Sequence, residues 1–152
     1  MSMKQKKSYG EHNDLNLKTL VALSRCFQSV RKREMYTIRK GGLTLAQFAV
    51  LEILYHKGDL RICDIIEGTL STGGNMTVVI ENLVKEGFVT RFPDPKDRRA
   101  QVVSITEKGL QVMQEIFPEH VKHISKIFDV LSAEEKQELI VLLKRLGVVS
   151  KE

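Results

Sequence analysis

Apolar residues recur at helical spacing along most of this chain, broken once by a pair of β-rich runs. Leu17, Leu20, Val21, Ser24, Phe27 and Val30 share one face of a helix that begins at Asp14. Its end is basic, with Arg31, Lys32, Arg33, Arg39 and Lys40, and Gly41-Gly42 stops it. Thr44-Leu45-Ala46-Gln47 is a capping-box pattern, and Phe48, Leu51, Leu54 and Tyr55 stripe a second helix as far as Lys57-Gly58. Asp59 to Arg61 has the length of one edge strand. Ile62, Ile65 and Ile66 then open a short third helix that turns at Gly68-Thr69-Leu70.

The next stretch organises the rest. Met76, Val79, Ile80, Leu83 and Val84 form the i, i+3, i+4, i+7, i+8 stripe of a helix lying on a core. Asn75, Val78, Glu81, Asn82 and Lys85 fall on the opposite face. Ser71 is the natural N-cap. Gly73 and Gly74 each cost about 1 kcal/mol relative to Ala inside a helix. Two readings of them stay open: a turn before the helix proper, or absent side chains that let backbone approach a ligand closely. Gly87 ends the helix. Phe88 to Phe92 and Gln101 to Ile105 are strand-like. Between them Pro93-Asp94-Pro95-Lys96-Asp97-Arg98-Arg99 is too polar and too Pro-rich for a strand. Two short helices, the second with a polar face, and a hairpin with a cationic tip are the layout of a winged helix-turn-helix.

Thr106 caps a long helix with a broad apolar face: Leu110, Met113, Ile116, Phe117, Val121, Ile124, Ile127, Phe128 and Leu131. Pro118 should kink it or begin a new segment. Ser132-Ala133-Glu134-Glu135 is a second capping box, and Leu139, Ile140, Leu142, Leu143 and Leu146 stripe a last helix closed by Gly147. A small winged-helix core cannot cover the first, fifth and last helices together. Their surplus apolar faces point to a homodimer. The fold class expected is therefore mainly α with a small β-hairpin wing. A winged lobe spans 43–106, dimerisation helices span 14–40 and 107–147, and a flexible basic tail spans 1–13.

Composition changes this picture in one respect. The chain of 152 residues carries a net charge of +5, but residues 1–40 hold +7 and the remainder −2. From Leu43 to Thr106 there are seven basic and eight acidic residues, so overall charge does not mark the lobe as a nucleic-acid binder. Cations matter by placement, at the wing tip and at the end of the first helix, where they either neutralise the helix dipole or meet phosphates. No apolar run approaches the roughly 20 residues of a membrane span, and no signal-peptide pattern precedes the first helix, so the expected compartment is the cytoplasm. Cys26 and Cys63 lack metal-type spacing.

With these residues in place the sequence resembles the MarR family of bacterial transcription regulators over roughly residues 14–147. The resemblance rests on Asp97-Arg98-Arg99 against a D-x-R wing motif, Ile105-Thr106-Glu107-Lys108-Gly109 against L-T-x-x-G, and Leu43-Thr44-Leu45-Ala46-Gln47-Phe48 against L-T-x-x-Q-[FW]. Phe48-Ala49-Val50-Leu51-Glu52, Tyr55-His56-Lys57-Gly58-Asp59 and Phe117-Pro118-Glu119-His120 resemble the branch that answers quinone or phenol stress. The resemblance implies a homodimer on double-stranded DNA with a palindromic operator, its reading helices in major grooves roughly 34 Å apart. It also implies a pocket for a small aromatic ligand between the dimerisation helices and each lobe. Arg98 and Arg99 would reach the minor groove, with Asp97 bracing them by a salt bridge. The residues' own chemistry agrees: guanidinium suits a narrow minor groove, and Asn75 can pair bidentately with adenine. The candidate DNA-contacting residues are Ser71, Thr72, Gly74, Asn75, Met76, Thr77, Val78 and Lys85 of the reading helix. Lys96, Asp97, Arg98 and Arg99 of the wing and Arg33, Arg39 and Lys40 of the first helix complete the set.

Three other readings have named tests. Thiol sensing would use Cys26 near Arg25 or Arg31, and mild peroxide would then release DNA. Metal sensing would use His120 and His123, i and i+3 on one face with Glu115 and Glu119 nearby, and a chelator would then change DNA affinity; otherwise that face is solvated. A protein-binding adaptor would find its wing arginines dispensable. An enzyme has least support: there is no Gly-rich phosphate loop, nucleophile elbow or HExxH, and Glu134, Glu135 and Glu138 read as helix-face charges, so neither catalytic residues nor cofactor nor metal are assigned.

Overall fold

A computed structural model describes residues 7–69 and 73–147. Within them six helices and three short strands follow in the expected order: α1 (Glu11–Lys40), α2 (Leu45–Lys57), β1 (Leu60–Arg61), α3 (Ile62–Thr69), α4 (Gly73–Lys85), β2 (Val89–Pro93), β3 (Gln101–Ile105), α5 (Glu107–Phe128) and α6 (Ala133–Gly147). Both capping boxes form. Thr44 Oγ1 accepts from the Gln47 N–H at 3.1 Å while Gln47 Oε1 accepts from the Thr44 N–H. Ser132 and Glu135 exchange the same two bonds.

The core of the lobe is where α2, α3 and α4 pack on the sheet and on α5. Phe48, Leu51, Leu54, Ile65, Ile80, Leu83, Val89, Val103 and Met113 are fully buried there. Each such side chain contributes roughly 1.5–3 kcal/mol by leaving water. Ile38 from the end of α1 joins them, so α1 is rooted in the lobe at one end. The strands are antiparallel in the order β1-β3-β2, with Leu60 opposite Val103 and Val89 opposite Ile105.

Two expectations are corrected, and one alternative is excluded at each of two further places. Helix α1 begins at Glu11, not Asp14: Gly10 takes φ +91° and the Asp14 carboxylate accepts from the Tyr9 N–H and Ser8 Oγ, so residues 11–13 are helix rather than tail. Pro93 belongs to β2 and pairs with Gln101; β2 is an edge strand, where a missing N–H costs no ladder bond. Gly73 and Gly74 are the first residues of α4 and not a turn before it; helix N-termini have unpaired N–H groups in any case, so low helix propensity is cheapest there. Pro118 starts no new segment, and α5 runs through it without a break. The proposed N-cap Ser71 and its neighbour Thr72 lie outside the described residues.

Candidate nucleic-acid interface

Helix α4 sorts its residues as its periodicity requires. Met76, Ile80 and Leu83 are buried, with Val79 and Val84 packed beside them. Asn75, Thr77, Val78, Asn82 and Lys85 are exposed. Met76 is corrected as a DNA contact: at 1% exposure its side chain belongs to the core. Its place in the apolar stripe was the stronger signal. Val78, a lone exposed apolar residue amid polar neighbours, suits a thymine methyl better than it suits water.

The chain leaves α4 through Gly87, whose φ of +78° is a left-handed turn that favours glycine. The Phe88 N–H donates back to the Leu83 carbonyl. The root of the wing is then locked from the far side: Thr106 Oγ1 donates to the Gly87 carbonyl at 2.6 Å, and the Thr106 N–H donates to the Phe88 carbonyl. A Cβ on Gly109 would stand 2.3 Å from that same Phe88 oxygen. The Ile105-Thr106-Glu107-Lys108-Gly109 motif thus has a steric reason: its Thr caps α5 and its Gly makes room for the wing.

The tip is two nested turns. The Asp94 N–H donates to the Ala100 carbonyl, and the Asp94 carboxylate accepts from the Lys96 N–H at 2.9 Å. Asp97 Oδ1 accepts from the Arg99 N–H at 3.1 Å, and the Ala100 N–H donates to the Asp97 carbonyl. Lys96, Arg98 and Arg99 are exposed around this frame. The expected salt bridge from Asp97 is corrected. Among the described residues it makes no ion pair within 4 Å; it holds the turn that carries the arginines. The ion pair is made instead by Asp94, 7% exposed, with Arg61 Nε at 2.5 Å. The Lys96 N–H, then the Arg61 guanidinium, hold the Asp94 carboxyl below its ordinary range against the opposing effect of burial. Sequence reading missed this pair, since 33 residues separate its members and no periodicity links them.

At the end of α1, Arg33, Arg39 and Lys40 are exposed, and Lys40 pairs with Glu119 of α5 at 3.3 Å. Beside them the histidine face of α5 is corrected twice. It is solvated only in part: Glu115 and Glu119 are exposed, but His120 is 5% exposed, with Nδ1 2.9 Å from Thr37 Oγ1 and its ring against Phe48. Burial pushes the His120 imidazolium below its ordinary pKa. Nor do the two imidazoles share a ligand position: His123 Nε2 meets the Arg33 carbonyl at 2.7 Å, and among the described residues no group of three His, Cys, Asp or Glu is placed to hold a metal. Next to His120 a groove of about 450 Å³ opens between α1, α2 and α5, lined by Arg31, Glu34, Glu52, Phe117, His120 and Phe128 among others. Arg31 and Glu34 pair across its rim at 2.9 Å. Cys26 and Cys63 are both exposed and unpaired with each other. No helix among the described residues is long and apolar enough to cross a membrane.

The MarR family model matches residues 43–100. The HTH-type transcriptional regulator MhqR of Bacillus subtilis is 38% identical over 137 residues, covering 90% of this chain and 94% of that protein. Among solved structures, BpsR of Bordetella bronchiseptica, whose DNA binding is regulated by 6-hydroxynicotinic acid, superposes with a TM-score of 0.76 at 27% identity. That match covers 86% of this chain and 99% of BpsR. The Streptomyces coelicolor regulator Sco3205, solved in complex with DNA, shares the fold with a TM-score of 0.80 at 18% identity, over 95% of this chain and 91% of its own.

Proposed function

The chain belongs to the MarR family of transcriptional regulators, and from that premise we propose that it represses transcription as a homodimer bound to a palindromic operator. The observation that carries this is the pairing of an outward polar face on α4 with a wing whose three cations stand exposed on a hydrogen-bonded frame. Asn75, Thr77, Val78 and Lys85 enter the major groove, with the Gly74 backbone at the helix start. Arg98 and Arg99 reach the minor groove, Asp97 holds their turn, and Lys96, Arg33, Arg39 and Lys40 meet phosphates. The second copy covers Leu20 and Phe27 of α1 and Leu142 and Leu146 of α6, all exposed in the single chain.

Release follows from differential binding: an inducer must prefer the conformation that does not fit DNA. The groove beside Phe117, His120 and Phe128 suits a small aromatic ligand, and its contact with both α1 and α2 lets occupancy move the lobe against the dimerisation helices. This favours a ligand over an oxidant acting on Cys26 or Cys63. The test incubates purified protein with fragmented host DNA at near-physiological salt and sequences what stays bound, with Arg99→Ala in parallel. An enriched inverted repeat, lost in the variant, supports the reading. Enrichment indifferent to Arg99 points to an adaptor. Phenols added to the enriched complex, against peroxide in a parallel arm, separate ligand from oxidant.

A further inference from the structure

The Arg61–Asp94 pair joins two parts of the lobe that the sheet links only through β3. Arg61 ends β1, opposite Val102 of β3, and the next residue begins α3. Asp94 follows the last residue of β2, on the other side of β3. The ion pair therefore spans the middle strand. It ties the helix-turn-helix, through β1 and α3, to the root of the wing tip.

Asp94 is built for that position. It is nearly buried, its two oxygens are taken by the Lys96 N–H and by Arg61, and its own N–H closes the tip onto Ala100. One carboxylate thus fixes both the first turn of the tip and the attachment of the tip to β1. Three residues on, the turn that presents Arg98 and Arg99 hangs from this frame through the Ala100 N–H and the Asp97 carbonyl.

We propose that Arg61 and Asp94 form a positioning brace, which sets the span between the reading helix and the wing arginines and contacts no DNA itself. The proposal rests on the DNA-binding reading. The competing role for Arg61, with a side chain 40% exposed, is a direct phosphate contact. The two roles differ in sign at Asp94. If Arg61 bound phosphate, Asp94→Asn would free its charge and remove an anion near the DNA, and binding would tighten. If the pair is a brace, Asp94→Asn loosens the tip and binding weakens.

The experiment measures affinity for the DNA enriched from the host, across a salt series, for Asp94→Asn, Arg61→Gln, the double variant, Arg61→Lys and Arg99→Ala. The brace predicts that each single variant weakens specific binding roughly tenfold, that the double variant is no worse than either, and that Arg61→Lys recovers part of the loss. The salt slope of Asp94→Asn falls towards that of Arg99→Ala and no further, because the only contacts it loosens are those of the wing cations. Hydroxyl-radical footprints lose protection at the wing sites and keep it at the major-groove sites, an outcome that general loss of fold would not give. Arg61→Gln leaves the Lys96 N–H bond to Asp94 in place, so it reads the brace even where Asp94→Asn unfolds the tip. Tighter or unchanged binding by Asp94→Asn, or additive losses in the double variant, overturns the brace. If Arg99→Ala is also without effect, the DNA-binding reading falls as well; if Arg99→Ala weakens binding while Asp94→Asn does not, only the brace falls.

Discussion

The lobe and the helical arms use the same apolar alphabet to opposite ends. In the lobe, stripes on α2, α3 and α4 meet one another and the sheet, and Phe48, Leu51, Ile65 and Ile80 vanish from the surface. On the arms, an equally regular stripe leaves Phe27 59% and Leu142 57% exposed, and α6 buries none of its residues. Periodicity announces that a face will be covered; it does not say by what. The lobe answers within one chain. The arms leave large apolar side chains of α1 and α6 exposed, and α1 reaches back into the lobe through Ile38.

The sharpest way to break this contrast is charge on the arms. Leu20→Glu combined with Leu142→Glu should leave the chain monomeric in sedimentation and weaken operator binding by about 100-fold or more, because two linked half-sites become one. Leu51→Ala attacks the other side. It should cost the lobe about 2–5 kcal/mol in urea unfolding, the ordinary range for a cavity in a closed core. Thr44→Ala and Ser132→Ala compare matched caps in the two regions; each should cost about 1 kcal/mol, the first in lobe stability and the second in arm helicity by circular dichroism.

The smallest effect is a pH dependence at the seam between the regions. Burial lowers the His120 pKa, against the charges of Glu34 from α1 and Glu52 from α2 and together with that of His123 on α5. Below the ordinary value of 6.5 the unfolded chain takes up a proton that the folded chain refuses. Stability should therefore fall as pH drops through that value and level off below the folded-state pKa. His120→Phe should flatten this window in urea titrations. Asp94 adds a loss of the same sign lower down, from 3.8 towards more acid pH.

Local rules made most of the lobe legible. Thr44 to Gln47, the stripe from Met76 to Val84 and the Thr106 cap each depend on residues within a turn or two, so their geometry follows from spacing. What escaped depends on distance in sequence. Asp94 meets Arg61, and His120 meets Thr37 across 83 residues, and nothing in the intervening pattern records either meeting. The resemblance implies an ion pair for Asp97, but a carboxylate two residues before a backbone N–H forms a turn at less cost in side-chain order. Pro93 looked like a strand breaker only while β2 had no place in the sheet; on the edge it is harmless. Met76 was assigned both to the core and to DNA, and a side chain on one helix face cannot serve both.

The most direct test of the account is the footprint and stoichiometry of the native protein on its enriched DNA. Two copies should bind one inverted repeat, with half-site centres about 10–10.5 base pairs apart and minor-groove protection outside each half-site. One copy on a single half-site, with protection unchanged when the arms are charged by Leu20→Glu and Leu142→Glu, would contradict it.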